Sequence, residues 1–116
     1  MSVSIYYLDD EPGLCEVFDE TVGEDPGYDA KTFTDAEPFL AAVQSDRPQV
    51  VVIDYRPKGT NGDEVAAKIP EGILKVLVTG ENKLIAKASY DGILEKPYEP
   101  EEILALLGGI LGRNRA

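Results

Sequence analysis

Four stretches of this chain end in residue types that together can move a phosphoryl group. Ile5-Tyr6-Tyr7-Leu8 runs into Asp9-Asp10-Glu11, Val50-Val51-Val52-Ile53 into Asp54, Val76-Leu77-Val78 into Thr79-Gly80, and Ile93-Leu94-Glu95 into Lys96-Pro97. Each apolar run has the composition of a strand. A carboxylate placed directly after a buried strand stands at the carboxyl edge of a parallel sheet, where open α/β sheets bind their ligands. If the four strands are parallel, one edge gathers three carboxylates, a hydroxyl and an ammonium. Asp9, Asp10 and Asp54 would then repel one another by a few kcal/mol per pair, on the order of 4 kcal/mol at about 4 Å and an effective dielectric near 20. A protonated carboxyl would relieve this, and so would a hard divalent cation held by oxygen ligands. Magnesium suits a site with few carboxylates, several waters and an open place for a phosphate oxygen. In such a site Asp54 is the nucleophile and Lys96 pairs with Asp54 at rest and with a phosphoryl oxygen later. Thr79 supplies a hydroxyl donor and Gly80 leaves room for approach. The product is an aspartyl phosphate, made chiefly by positioning and electrostatics.

The elements needed to position these groups alternate along the chain. Val3 to Leu8 is β-rich; Pro12 suits a first helical turn, and Leu14, Val17, Phe18, Thr21 and Val22 share one helical face before Gly23. Tyr28 to Phe33 reads as a second, less buried strand. Thr34-Asp35-Ala36-Glu37 has capping-box spacing ahead of Phe39, Leu40 and Val43, and Asp46-Arg47-Pro48 stops that helix. Val50 to Asp54 is the third strand. Asn61 then caps a short helix carrying Val65, Ala66 and Ile69, which Pro70 must end. Val76 to Thr79 is the fourth strand, Leu84, Ile85 and Ala88 form a short helical stripe, and Ile93 to Glu95 is the fifth strand. Pro100 opens a last helix with Ile103, Leu104, Leu106, Leu107 and Ile110. Five β/α units with crossovers long enough for parallel pairing predict one doubly wound sheet flanked by five helices.

The bulk properties bound the function. A chain of 116 residues has room for one α/β domain, expected over 1–116. The net charge of −11, with basic residues scattered, gives direct nucleic-acid binding no electrostatic footprint. The single cysteine, Cys15, has no internal disulfide partner, and no signal peptide or long apolar span is visible, so the cytoplasm is expected and no membrane role is. Histidine is absent, which excludes His-based general bases, His-ligated metals and an internal phosphohistidine.

With these residues in order, the chain resembles the receiver domains of bacterial response regulators in two-component signalling. The likeness rests on Leu8-Asp9-Asp10-Glu11-Pro12, Val51-Val52-Ile53-Asp54, Asn61-Gly62, Val78-Thr79-Gly80 and Glu95-Lys96-Pro97-Tyr98, and it spans nearly the whole chain. The resemblance implies a flavodoxin-like sheet of strand order 2-1-3-4-5. It implies that Asp10, Asp54 and the backbone carbonyl of Arg56 bind Mg2+ directly, that Asp9 helps through water, and that Lys96-Pro97 is a cis peptide. The phosphoryl donor is then a sensor histidine kinase or a histidine phosphotransfer protein. Output passes to a protein target, and the chain is a signalling module with only self-phosphorylation and slow autodephosphorylation. The likeness also places Arg56 and Glu81 at the mouth of the site, where a bridge between them would gate water.

The chain departs from the family pattern in places. Ile93 stands where an aromatic switch residue is usual, Pro57 lies one position early after the acceptor, and the stretches from Asp54 to Thr79 and from Thr79 to Lys96 are short. A pseudo-receiver acting as a phosphorylation-independent docking module is the alternative reading. A haloacid-dehalogenase-like phosphatase fits less well, because its nucleophile belongs to an Asp-x-Asp motif and Asp54 is followed by Tyr55-Arg56.

Overall fold

The computed structural model describes residues 3–55, 60–80 and 90–114. Five strands, β1 (Val3–Leu8), β2 (Tyr28–Phe33), β3 (Val50–Asp54), β4 (Leu74–Thr79) and β5 (Gly92–Glu95), alternate with helices α1 (Pro12–Thr21), α2 (Ala36–Asp46) and α3 (Gly62–Ala67), and α4 (Pro100–Asn114) closes the order. All neighbouring strands are parallel, in the order β2-β1-β3-β4-β5. The fold is the expected one, with four helices among the described residues. The fifth expected helix, around Leu84, Ile85 and Ala88, lies outside them.

The side chains alternate through the sheet, as period-2 geometry requires, and make two cores. Ile5, Tyr7, Val50, Val52, Val76 and Val78 pack with Phe18 of α1, with Val22 at its C-cap and with Ile103, Leu107 and Ile110 of α4. On the other face Tyr6, Leu8, Val51 and Ile53 meet Phe39 and Val43 of α2 and Val65, Ala66 and Ile69 near α3. β3 is buried along its whole length, which is why it reads as an unbroken apolar run.

Several local expectations need correction. The capping box from Thr34 is not formed: α2 starts one residue later, with Asp35 as N-cap and no side-chain cap hydrogen bond. Glu37 therefore falls at the second helical position, where it cannot reach back to the cap but still complements the helix dipole. β4 begins at Leu74 rather than Val76, because pairing with β3 extends to Val50↔Leu74 and Lys75↔Val51. α3 stops at Ala67 with Lys68 as C-cap, so Ile69 lies beyond the helix and Pro70 is not what ends it, and Val17 of the expected α1 stripe is 42% exposed while Cys15 is buried in its place. The remaining start and stop signals hold. Pro12 opens α1, Arg47 ends α2 in the left-handed region at φ 48°, and Asn61 Oδ1 accepts from Glu64 N at 2.9 Å to cap α3.

Candidate functional site

Parallel register brings the strand ends into line. Leu8 is opposite Ile53, Asp54 opposite Val78 and Thr79 opposite Glu95, so Asp9, Asp54, Thr79 and Lys96 leave the sheet at one edge. Backbone bonds continue the ladder past the strands, Tyr55 N to Val78 O at 2.8 Å and Lys96 N to Thr79 O at 2.8 Å. The Lys96-Pro97 peptide is cis. Gly62 passes close beneath the loop after Asp54: a Cβ there would stand 2.9 Å from Tyr55 Cα and 3.1 Å from Leu77 Cδ1. Only glycine fits, which gives Asn61-Gly62 a packing reason beyond its turn character.

The three acids occupy different environments. Asp9 is fully buried and its carboxylate accepts from three donors: Glu11 N on Oδ1 at 3.0 Å, and the Tyr7 hydroxyl at 2.8 Å and Lys96 Nζ at 3.1 Å on Oδ2. Asp10 is exposed. Asp54 is nearly buried and its Oδ1 accepts from Lys96 Nζ at 3.1 Å. Asp9, Asp10 and Asp54 each offer an oxygen within 4.8 Å of the others. An open cleft of about 390 Å³, lined by Asp10, Asp54, Thr79, Gly80 and Lys96 among others, lies over them.

Electrostatics records the crowding. Burial first, and then the Asp9 charge, raises the proton affinity of Asp54 above the ordinary carboxylate range, against the opposing pull of Lys96. Burial by itself would lower Lys96, but Asp9 and Asp54 outweigh it and hold the ammonium above its usual value. Among the described residues Lys96 thus pairs with two of three clustered carboxylates, Asp9 and Asp54, while the third, Asp10, is open to solvent, and all the ligand atoms are hard oxygens. That set fits a divalent cation of the magnesium type, which keeps several waters and takes few carboxylates.

The structure brings together Asp9, Asp10, Asp54, Thr79 and Lys96 as the sequence predicts. Arg56 and Glu81, and with them the expected gate, lie outside the described residues, as does the early Pro57. Ile93 is 56% exposed on the edge strand β5, so it is not packed as a buried switch residue would be. Sequence reasoning missed two hydroxyls. Tyr7 and Tyr98 approach at 3.3 Å, and Tyr7 bonds Asp9. The signal was present: Tyr7 and Asp9 are two apart on a strand, hence on one face, and a phenol in a buried strand requires a polar partner. Burial first, then Tyr98 and Asp9, pushes the Tyr7 phenol far above its ordinary range, so it remains a donor.

The family model described as response regulator receiver domain matches residues 5–108. The chain is similar to the DNA-binding response regulator MtrA of Mycolicibacterium smegmatis, 28% identical over 98% of this chain and 53% of that protein. It is also similar to the alkaline phosphatase synthesis transcriptional regulatory protein PhoP of Bacillus subtilis, 25% identical over 98% of this chain and 50% of that protein. The chain therefore spans about half the length of these relatives. Among solved structures, a CheY-like response regulator receiver domain from Methanospirillum hungatei superposes with a TM-score of 0.90 at 20% identity, covering 99% of this chain and 98% of that one. A BeF3-activated DrrB receiver domain does so with a TM-score of 0.85 at 25% identity, covering 97% and 99%. No helix among the described residues is long and apolar enough to cross a membrane.

Proposed function

Since this chain belongs to the receiver domains of two-component response regulators, we propose that it accepts a phosphoryl group on Asp54 in a magnesium-dependent reaction. The observation that carries this reading is the Lys96 ammonium, 3.1 Å from Asp54 Oδ1 at the floor of an open cleft beside two further acids.

An Asp54 carboxylate oxygen attacks phosphorus in line as the bond from phosphorus to the donor breaks. That bond is P–N for a phosphohistidine or P–O for acetyl phosphate, and the electron pair leaves with the donor. Lys96 then exchanges its bond to Asp54 for one to a phosphoryl oxygen, and the Thr79 hydroxyl donates to another. Asp10, Asp54 and the carbonyl of Arg56 would hold Mg2+, with Asp9 acting through water. When bound, the ion supplies the positive charge that lets carboxylates and phosphoryl oxygens share one edge.

The chain contains no histidine, so the phosphoryl group comes from a partner, a sensor histidine kinase or a histidine phosphotransfer protein. The output is protein–protein contact in the cytoplasm, without direct nucleic-acid or membrane binding. Titration with beryllofluoride, a phosphoryl mimic, in the presence of magnesium tests this reading. Saturable amide shifts at Asp54, Thr79 and Lys96 that vanish with chelator are expected. No shifts at any beryllofluoride concentration would leave the docking-module reading instead.

A further inference from the structure

The Tyr7 hydroxyl has no part in that reaction as written, yet it is fixed beside it. The Tyr7 ring is fully buried and stacks on Phe18 with centroids 4.3 Å apart and planes 5° from parallel, so the phenol oxygen has little freedom. That oxygen donates to Asp9 Oδ2 at 2.8 Å, the atom that also accepts from Lys96 Nζ at 3.1 Å. Because the Tyr7 hydroxyl directs its one proton to Asp9, the contact with Tyr98 at 3.3 Å is completed by the Tyr98 hydroxyl donating to Tyr7. A chain of bonds thus runs from Tyr98 through Tyr7 to Asp9, then to Lys96 and Asp54, and each donor polarises the next.

Transfer of a phosphoryl group changes the demand on Lys96. An Asp54 oxygen becomes part of an acyl phosphate, and the ammonium must turn toward the phosphoryl oxygens. Asp9 then loses its ammonium donor on Oδ2 while fully buried, and a buried carboxylate short of donors is costly. Two of its donors remain, the Glu11 N–H and the Tyr7 hydroxyl. We propose that Tyr7 is a positioning residue for phosphoryl transfer: by keeping Asp9 Oδ2 satisfied, it releases Lys96 to the phosphoryl group. With phenylalanine there, Asp9 would retain Lys96, and the ammonium would be withheld from the charge that develops on phosphorus. This inference rests on the proposed function.

The test compares wild type, Tyr7→Phe, Lys96→Ala and the double variant for labelling by acetyl phosphate, where the Asp54 oxygen–phosphorus bond forms and acetate leaves. Tyr7→Phe keeps the stacked ring and should label about tenfold slower at saturating magnesium, the loss of roughly one hydrogen bond to a charged group. It should also bind beryllofluoride about tenfold more weakly, while half-saturation by magnesium moves by less than about twofold. In the Lys96→Ala background the Tyr7→Phe change should have no further effect, which a merely structural role would not produce. Tyr6→Phe is the control, since it removes a β1 hydroxyl that bonds Asp46 on the opposite face, and it should label at the wild-type rate. In the wild type itself, the ring resonance of Tyr7 next to its oxygen should move when beryllofluoride binds, a readout independent of any variant's folding. A wild-type labelling rate and beryllofluoride affinity in Tyr7→Phe, additive losses in the double variant, or a stationary Tyr7 resonance would overturn the inference alone. Failure of the wild type to label or bind beryllofluoride would overturn it together with the proposed function.

Discussion

Lys96 Nζ lies 3.1 Å from Asp54 Oδ1, and the same ammonium lies 3.1 Å from Asp9 Oδ2. Lys96 therefore bridges two buried carboxylates whose like charges would otherwise repel at the sheet edge. Removing one member of such a group costs more than the group contributes, because the buried charges left behind lose their opposite charge. Lys96→Ala should lower stability by about 3 kcal/mol in chelator. Magnesium should restore part of that loss by replacing the missing positive charge. Urea unfolding with and without the metal measures both, and an unchanged midpoint in chelator would contradict the bridging role.

The backbone beneath the acceptor gives a second prediction. Gly62→Ala places a Cβ 2.9 Å from Tyr55 Cα, so either α3 or the loop after Asp54 must shift. Overpacking of this kind costs on the order of 1 to 3 kcal/mol, and here the strain falls one residue from the acceptor. Slower labelling of Asp54 should accompany the lower stability. An Ala variant with wild-type stability and labelling would show that the loop gives way freely.

The parts of the site visible in the sequence are those fixed by strand chemistry. Val50–Ile53 is apolar on both faces because β3 is central, and a charge directly after it has only the sheet edge to occupy. Asp9, Asp54, Thr79 and Lys96 follow from that rule without side-chain detail. The Tyr7–Asp9–Lys96 hydrogen bonds were not visible, since periodicity assigns a residue to a face but says nothing of how far a phenol reaches. Asp35 rather than Thr34 stands at the N-cap position of α2, without a side-chain cap bond, because spacing alone fixes a helix boundary only to within a residue or two. Leu74 and Lys75 join β4 only through pairing with Val50 and Val51, a tertiary choice that local propensity does not encode.

Tyr6, on the face of β1 opposite Tyr7, gives the pH dependence. Burial first, then the hydrogen bond to Asp46, raises its pKa from 10.0 to about 12. A pKa raised by folding contributes stability that is complete below the unfolded value and is lost as pH rises through the folded one. Tyr6→Phe should therefore be less stable than wild type by about 1.5 to 3 kcal/mol near neutral pH. The difference should narrow as pH rises from 10.0 through about 12. Paired urea titrations across that window check this, and a gap independent of pH would refute the assignment.

The central claim is that Asp54 is the phosphoryl acceptor of a magnesium-dependent site, and intact-protein mass spectrometry after incubation with acetyl phosphate tests it most directly. Wild type should gain one phosphoryl group with magnesium and none with chelator, and Asp54→Asn should gain none in either condition. Labelling of the Asn variant at the wild-type rate, or labelling of wild type that ignores the metal, would contradict it.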